Sequence, residues 1–158
     1  MEQPITLAMP QSICKIYVHL VYSTKNRERV LPDAIRPSLH DYLGGILRKS
    51  GARSVEINSE PDHAHLLFLL GRIVAIGTLV GKLKQGSTLW LREQSPSLRD
   101  FHWQNGYASF SVSHSQLESA QNYVRNQREH HKRMSFQDEL RALLKKHEEE
   151  WDEEHLWD

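Results

Sequence analysis

The chain predicts an α+β fold: a ferredoxin-like β-α-β-β-α-β split motif, an antiparallel sheet with helices on one face, plus C-terminal helices. Three observations lead there. Cys14 to Ser23 (CKIYVHLVYS) is near-continuously apolar and rich in β-branched and aromatic residues, as a buried central strand is. Ser54 to Glu60 alternates apolar and polar residues, Pro61-Asp62 marks a turn, and His63 to Leu70 (HAHLLFLL) is close enough to pair as a hairpin. Stretches with helical spacing lie on both sides of that hairpin.

The elements follow in order. Residues 1–12, with Pro4 and Pro10, read as a flexible lead-in. After the first strand, Thr24 to Leu31 is a basic loop. Asp33 can cap a helix on which Ile35, Leu39, Tyr42, Leu43, Ile46 and Leu47 recur at helical spacing, and Ser50-Gly51 ends it. Ile73 to Arg92 is helical in pattern, although Gly77, Gly81 and Gly86 weaken its interior. Ser95-Pro96-Ser97 breaks the chain, and Tyr107 to Ser113 is strand-like. Ser115 opens a helix with Glu118 three residues on, a capping-box pattern, and the helix continues through Tyr123 to Gln127. A last helix from about Phe136 carries Leu140, Leu143 and Leu144. The expected organisation is a lead-in over 1–12, a main domain over 13–133 and an acidic helical tail over 134–158.

Composition narrows the function. The length of 158 residues suits one domain, and 39% apolar residues exclude a disordered chain. No stretch approaches the roughly 18 consecutive apolar residues of a membrane helix. The N-terminus lacks a secretory pattern, and the lone Cys14 excludes an internal disulfide and a cysteine-cluster zinc site. A cytoplasmic setting is expected. The net charge is zero but divided: residues 1–133 carry 17 Lys+Arg against 11 Asp+Glu, and residues 134–158 carry 3 against 9. A basic body suits a phosphate-bearing partner. An acidic tail can lie over that body and restrain its binding.

Two constellations carry chemistry. In His63-Ala64-His65 on a strand, residues i and i+2 project from one face, so two imidazoles sit side by side. That arrangement starts a metal site, or else it makes hydrogen bonds to backbone and water. Tyr123 and Gln127, at i and i+4 on a helix, share a face. A phenol that attacks phosphorus needs a nearby cation, and the Gln127 carbonyl is a hard ligand; the alternative is a core tyrosine with a solvated glutamine. His19, on the strand expected beside His63, and Asp62 are candidates for orienting the histidines, and Asp62 also fits a turn. Lys25, Arg27, Arg29, Arg125 and Arg128 are candidates for gripping phosphates. Neighbouring His130 and His131 diverge by roughly 100° on a helix, so both are not expected on one ion.

In combination these blocks resemble a known family, the single-tyrosine HUH transposases of the insertion sequence 200/605 group with their REP-associated relatives. The resemblance runs from about Ile16 to Arg133. It rests on Tyr17–Arg27, Asp62-His63-Ala64-His65-Leu66-Leu67, Leu83-Lys84-Gln85-Gly86-Ser87, Trp103-Gln104-Asn105-Gly106-Tyr107 leading into Phe110–Ser113, and Tyr123-Val124-Arg125-Asn126-Gln127 with Glu129-His130-His131. One departure is Ala64, where a larger apolar residue is usual. The resemblance implies a metal-dependent strand transferase that cleaves and rejoins single-stranded DNA at hairpin-bearing ends through a 5′-phosphotyrosine. His63, His65 and Gln127 would hold Mg²⁺ or Mn²⁺ and Tyr123 would be the nucleophile. It also implies a homodimer whose active sites are composite. The alternative is a domesticated or inactive relative that binds a hairpin without strand transfer.

Overall fold

The structure, a computed structural model, describes residues 12–158. All but the last residue of the expected lead-in lies outside that range. The described chain runs β1 (Tyr17–Ser23), α1 (Arg36–Lys49), β2 (Arg53–Glu60), β3 (His63–Leu69), α2 (Ile76–Gln94), β4 (Ala108–Val112), α3 (Leu117–Arg125), α4 (Gln127–His130) and α5 (Phe136–Lys146). The strands form one antiparallel sheet in the order β2-β3-β1-β4. This is the split β-α-β-β-α-β arrangement with C-terminal helices, as the sequence predicts.

The sheet divides the molecule into two layers of contact. Successive side chains of a strand point to opposite faces. On one face Val18, Leu20 and Tyr22 of β1 and Ala64, Leu66 and Phe68 of β3 meet Leu39, Leu43 and Leu47 of α1 and Leu79, Val80 and Leu83 of α2. On the other face Val21 and Phe110 meet Phe136, Leu140, Leu143 and Leu144 of α5. The central strand is therefore buried on both sides, which accounts for its unbroken apolar run. The helix α2 passes through all three of its glycines. Gly86 has a packing reason: a Cβ there would lie 3.0 Å from Ile46 Cδ1, so its absence lets α2 press against α1.

Two expected caps do not form. Asp33 gives its carboxylate to Arg36 and Arg128 rather than to the start of α1, because two guanidiniums outbid backbone amides for the charge. Ser115 bonds the Ser113 hydroxyl, and a single 3₁₀ turn over His114–Gln116 precedes α3, which has no side-chain cap. The expected continuous helix from Ser115 to Gln127 is also interrupted, since Asn126 (φ −95, ψ 24) separates α3 from α4. By contrast α5 is capped by Ser135, which accepts from the Asp138 amide at 3.1 Å.

The acidic segment after α5 folds back on the body. The guanidiniums of Arg27 (5.4 Å) and Arg141 (5.1 Å) both lie over the Trp157 ring, and Arg27 donates to the Trp157 carbonyl at 2.9 Å. Glu153 accepts from Arg141 at 2.7 Å. Among the described residues no helix is long and apolar enough to cross a membrane.

Candidate metal centre and nucleophile

Register places the site. Directly opposed residues of antiparallel strands share a face. Ser23 opposes His63, Val21 opposes His65, and Asn58 of β2 opposes His65 from the other side. His63, His65 and His19 therefore emerge on the face that α3, α4 and α5 cover. All three histidines are buried there, with His63 and His65 at 0% exposure. Asn58 holds the cover in place by donating to the Val124 carbonyl at 2.9 Å.

Each imidazole of the centre has one nitrogen committed outward and one turned inward. His63 Nδ1 bonds Asp62 Oδ1 at 2.7 Å. His65 Nδ1 bonds His19 Nε2 at 2.7 Å. His131 Nδ1 donates to the Met134 carbonyl at 2.7 Å. The three Nε2 atoms then converge on one oxygen, Glu139 Oε1, at 3.4 Å for His63, 2.9 Å for His65 and 3.0 Å for His131. Gln127 Oε1 joins them, 3.2 Å from His63 Nε2 and 3.0 Å from His131 Nε2. The candidate ligand atoms of His63, His65, His131 and Glu139 all lie within 4.8 Å of one another. Outer partners that fix the tautomer and aim of a ligating imidazole are what a metal centre needs, and His19 and Asp62 occupy those places.

The donor set fits a divalent cation. Three imidazole nitrogens, one carboxylate and one amide oxygen, with almost no solvent, leave negative charge that must be matched. A cation or a proton can match it. Burial would lower the His63 pKa, but its hydrogen bonds to the Asp62 and Glu139 carboxylates reverse that and raise it to about 9. His65 moves the other way, since burial outweighs the attraction of Glu139. Burial and the neighbouring His65 hold His19 at about 3, so it stays neutral. Burial pushes Glu139 upward, yet the three imidazoles overcome it and hold it far below the usual carboxylate range.

Tyr123 reaches the same group. Its hydroxyl donates to Glu139 Oε2 at 2.5 Å. Its ring stacks obliquely on His130 (4.8 Å) and meets His65 edge-on (6.0 Å). Burial, then the Glu139 charge, raise its pKa well above the ordinary phenol value. The phenol is thus held protonated. Beside it opens a cavity of about 1130 Å³ lined in part by His19, Phe110, Tyr123, Arg133, Glu139 and Lys146.

Of the residues singled out from the sequence, His63, His65, Gln127, Tyr123, His19 and Asp62 are brought together. The basic candidates are not. Arg27 is on Trp157, Arg29 is 3.7 Å from Asp62, Arg125 is 3.4 Å from Glu56, and Arg128 is 3.2 Å from Glu60 and 3.1 Å from Asp33. Lys25 is exposed in the turn after β1. Two residues of the centre were missed. His131 was visible only as half of a pair, and the pair does diverge: His131 faces the centre while His130 faces Tyr123. Glu139 was read as part of the acidic tail. Its signal was present, because it lies three residues after Phe136 and four before Leu143, inside the apolar stripe of α5. An acid in a buried stripe needs a partner.

The comparisons with known proteins give the family. The family model described as "Transposase IS200 like" matches residues 12–127. The ISDra2 transposase TnpA of Deinococcus radiodurans is 27% identical over 120 residues, which is 73% of this chain and 86% of that protein. A crystal structure of a Deinococcus radiodurans r1 protein assigned as a transposase superposes with a TM-score of 0.59 at 26% identity, covering 80% of this chain and 98% of that one. The REP-associated tyrosine transposase bound to a REP hairpin shares the fold, with a TM-score of 0.56 at 12% identity over 80% of this chain and 74% of that one. With most of its length matched, including both strand histidines and Tyr123, the chain belongs to the IS200-like transposase family.

Proposed function

We propose that this transposase cuts and rejoins single-stranded DNA beside hairpins, with Tyr123 as nucleophile and His63, His65 and Gln127, joined by His131 and Glu139, as the holders of a divalent cation. The observation that carries it is the contact of Tyr123 with the carboxylate on which the three imidazoles converge. A bound cation supplies Lewis acidity at the scissile phosphate and lowers the cost of a phenolate. The nitrogen-rich set favours Mn²⁺ over Mg²⁺, which prefers oxygen ligands and keeps its waters.

The side chains do the rest. Tyr123 Oη attacks phosphorus in line, the P–O3′ bond breaks as the Oη–P bond forms, and the DNA 5′-phosphate stays on the tyrosine. The proton lost by the phenol equals the one gained by the departing 3′-oxygen, so the step is proton-neutral. A second 3′-hydroxyl reverses it, joining new ends without ATP. Asp62 and His19 hold the two strand imidazoles in register throughout.

Within one chain Tyr123 already meets the histidines, so we read the site as acting within a single chain whether or not a homodimer forms. Mixing Tyr123→Phe protein with His63→Ala protein is therefore expected to leave covalent adduct formation absent. An adduct from the mixture would show that the tyrosine is exchanged between subunits.

DNA binding has its own expected result. Arg27 and Arg141 are occupied by Trp157 and Glu153, in a segment that repels phosphates. Removing residues 147–158 is expected to tighten single-strand binding about tenfold at low salt, with the gain shrinking as salt rises. Unchanged affinity in a fluorescence-anisotropy titration at low salt would mean that the tail does not compete with DNA.

A further inference from the structure

The Glu139 carboxylate faces two ways. Oε1 is surrounded by the Nε2 atoms of His65, His131 and His63 at 2.9, 3.0 and 3.4 Å, and Oε2 accepts the Tyr123 hydroxyl at 2.5 Å. We infer that Glu139 is at once a ligand of the cation and the group that aims the nucleophile, so that filling the metal site and positioning Tyr123 are a single coupled event. This rests on the reading of Tyr123 as the attacking group.

The geometry leaves Glu139 little else to do. It is 1% exposed, so it cannot turn to water. Its helix is fixed by Phe136, Leu140, Leu143 and Leu144 against Val21 and Phe110, and Phe136 stacks on the His63 ring at 4.6 Å. A buried carboxylate spends its lone pairs where partners are, and here the partners are three imidazoles on one oxygen and a phenol on the other. A cation that draws charge through Oε1 weakens the hold of Oε2 on the phenol and frees it toward a phosphate. Removing the phenol, in turn, leaves more of the carboxylate for the cation. Such coupling is reciprocal by thermodynamic necessity. Glu139 and His131 both lie beyond the span that matches the family, residues 12–127. The device joins α5 and the turn before it to the strand histidines.

The test is a double-mutant cycle on Mn²⁺ affinity, read by isothermal titration of the full chain without DNA. Glu139→Gln keeps the shape and removes the charge. It is expected to weaken Mn²⁺ about tenfold or more, in the range seen when groups supporting a metal are lost. Tyr123→Phe is expected to tighten Mn²⁺ about fivefold in the native background and to have no effect in the Glu139→Gln background. A merely structural Glu139 would give no such dependence of one change on the other, and circular dichroism checks that each variant is folded. Native-like Mn²⁺ affinity in Glu139→Gln, or an equal Tyr123→Phe effect in both backgrounds, would overturn the inference. Failure of the tyrosine reading itself shows elsewhere, as a covalent DNA adduct that survives Tyr123→Phe.

Discussion

Replacing Tyr123 with Phe is expected to abolish covalent attachment to DNA, a loss of at least about a thousandfold, while single-strand affinity changes by less than about twofold. The substitution removes one oxygen from a half-buried ring. The ring keeps its contacts with His130, His65 and His19, so the fold and the DNA surface are untouched. What disappears is the only atom of this side chain that can bond phosphorus. A denaturing gel of labelled single strands from the DNA flanking the gene separates attachment from binding. Release of free 5′ ends without an adduct would instead indicate water as the attacking group, and binding with neither would indicate a hairpin-binding relative.

The second large effect concerns the metal and its dependence on pH. The cation needs the His63 lone pair at Nε2, and in the metal-free chain a proton occupies that imidazole up to a pKa of about 9. The sign follows: below about 9 the cation must displace the proton, so affinity falls as pH falls, and above it affinity no longer changes. Mn²⁺ affinity is expected to rise about tenfold per pH unit near pH 7, with close to one proton released per ion from this group, and to level off around pH 9. His63→Ala is expected to weaken Mn²⁺ by two orders of magnitude or more and to abolish this release. Titrations in two buffers of different ionisation enthalpy measure the released proton directly. A slope near zero in the native chain would mean that the imidazole is not charged before the ion arrives.

How much of this was legible depended on periodicity. The burial of β1 on both faces left an unbroken apolar run, and the hairpin of β2 and β3 announced itself through Pro61-Asp62 and the alternation before it. His63 and His65 could be placed on one face from the two-residue period alone. That His19 and Asp62 would hold them could only be suspected, because it depends on register, which pairing and packing fix together. The helix boundaries near Tyr123 were misread because Asn126 breaks the helix. Gln127 nevertheless keeps the face assigned to it, with its amide 3.4 Å from the Tyr123 carbonyl. The basic loop was legible as basic but not as occupied: Arg27 meets Trp157, 130 positions away, and no local pattern encodes so distant a contact. Glu139 was hidden for a different reason. It sits just ahead of a run of acids, and charge counted over a segment conceals the one acid that is buried.

The most direct test of the account is to digest the Mn²⁺-dependent protein–DNA adduct and locate the nucleotide by mass spectrometry. The account predicts a 5′-phosphate ester on the peptide carrying Tyr123, with none on Tyr107 or on a histidine. A nucleotide on any other residue would contradict it, since only Tyr123 among the tyrosines shares a carboxylate with the imidazoles of the centre.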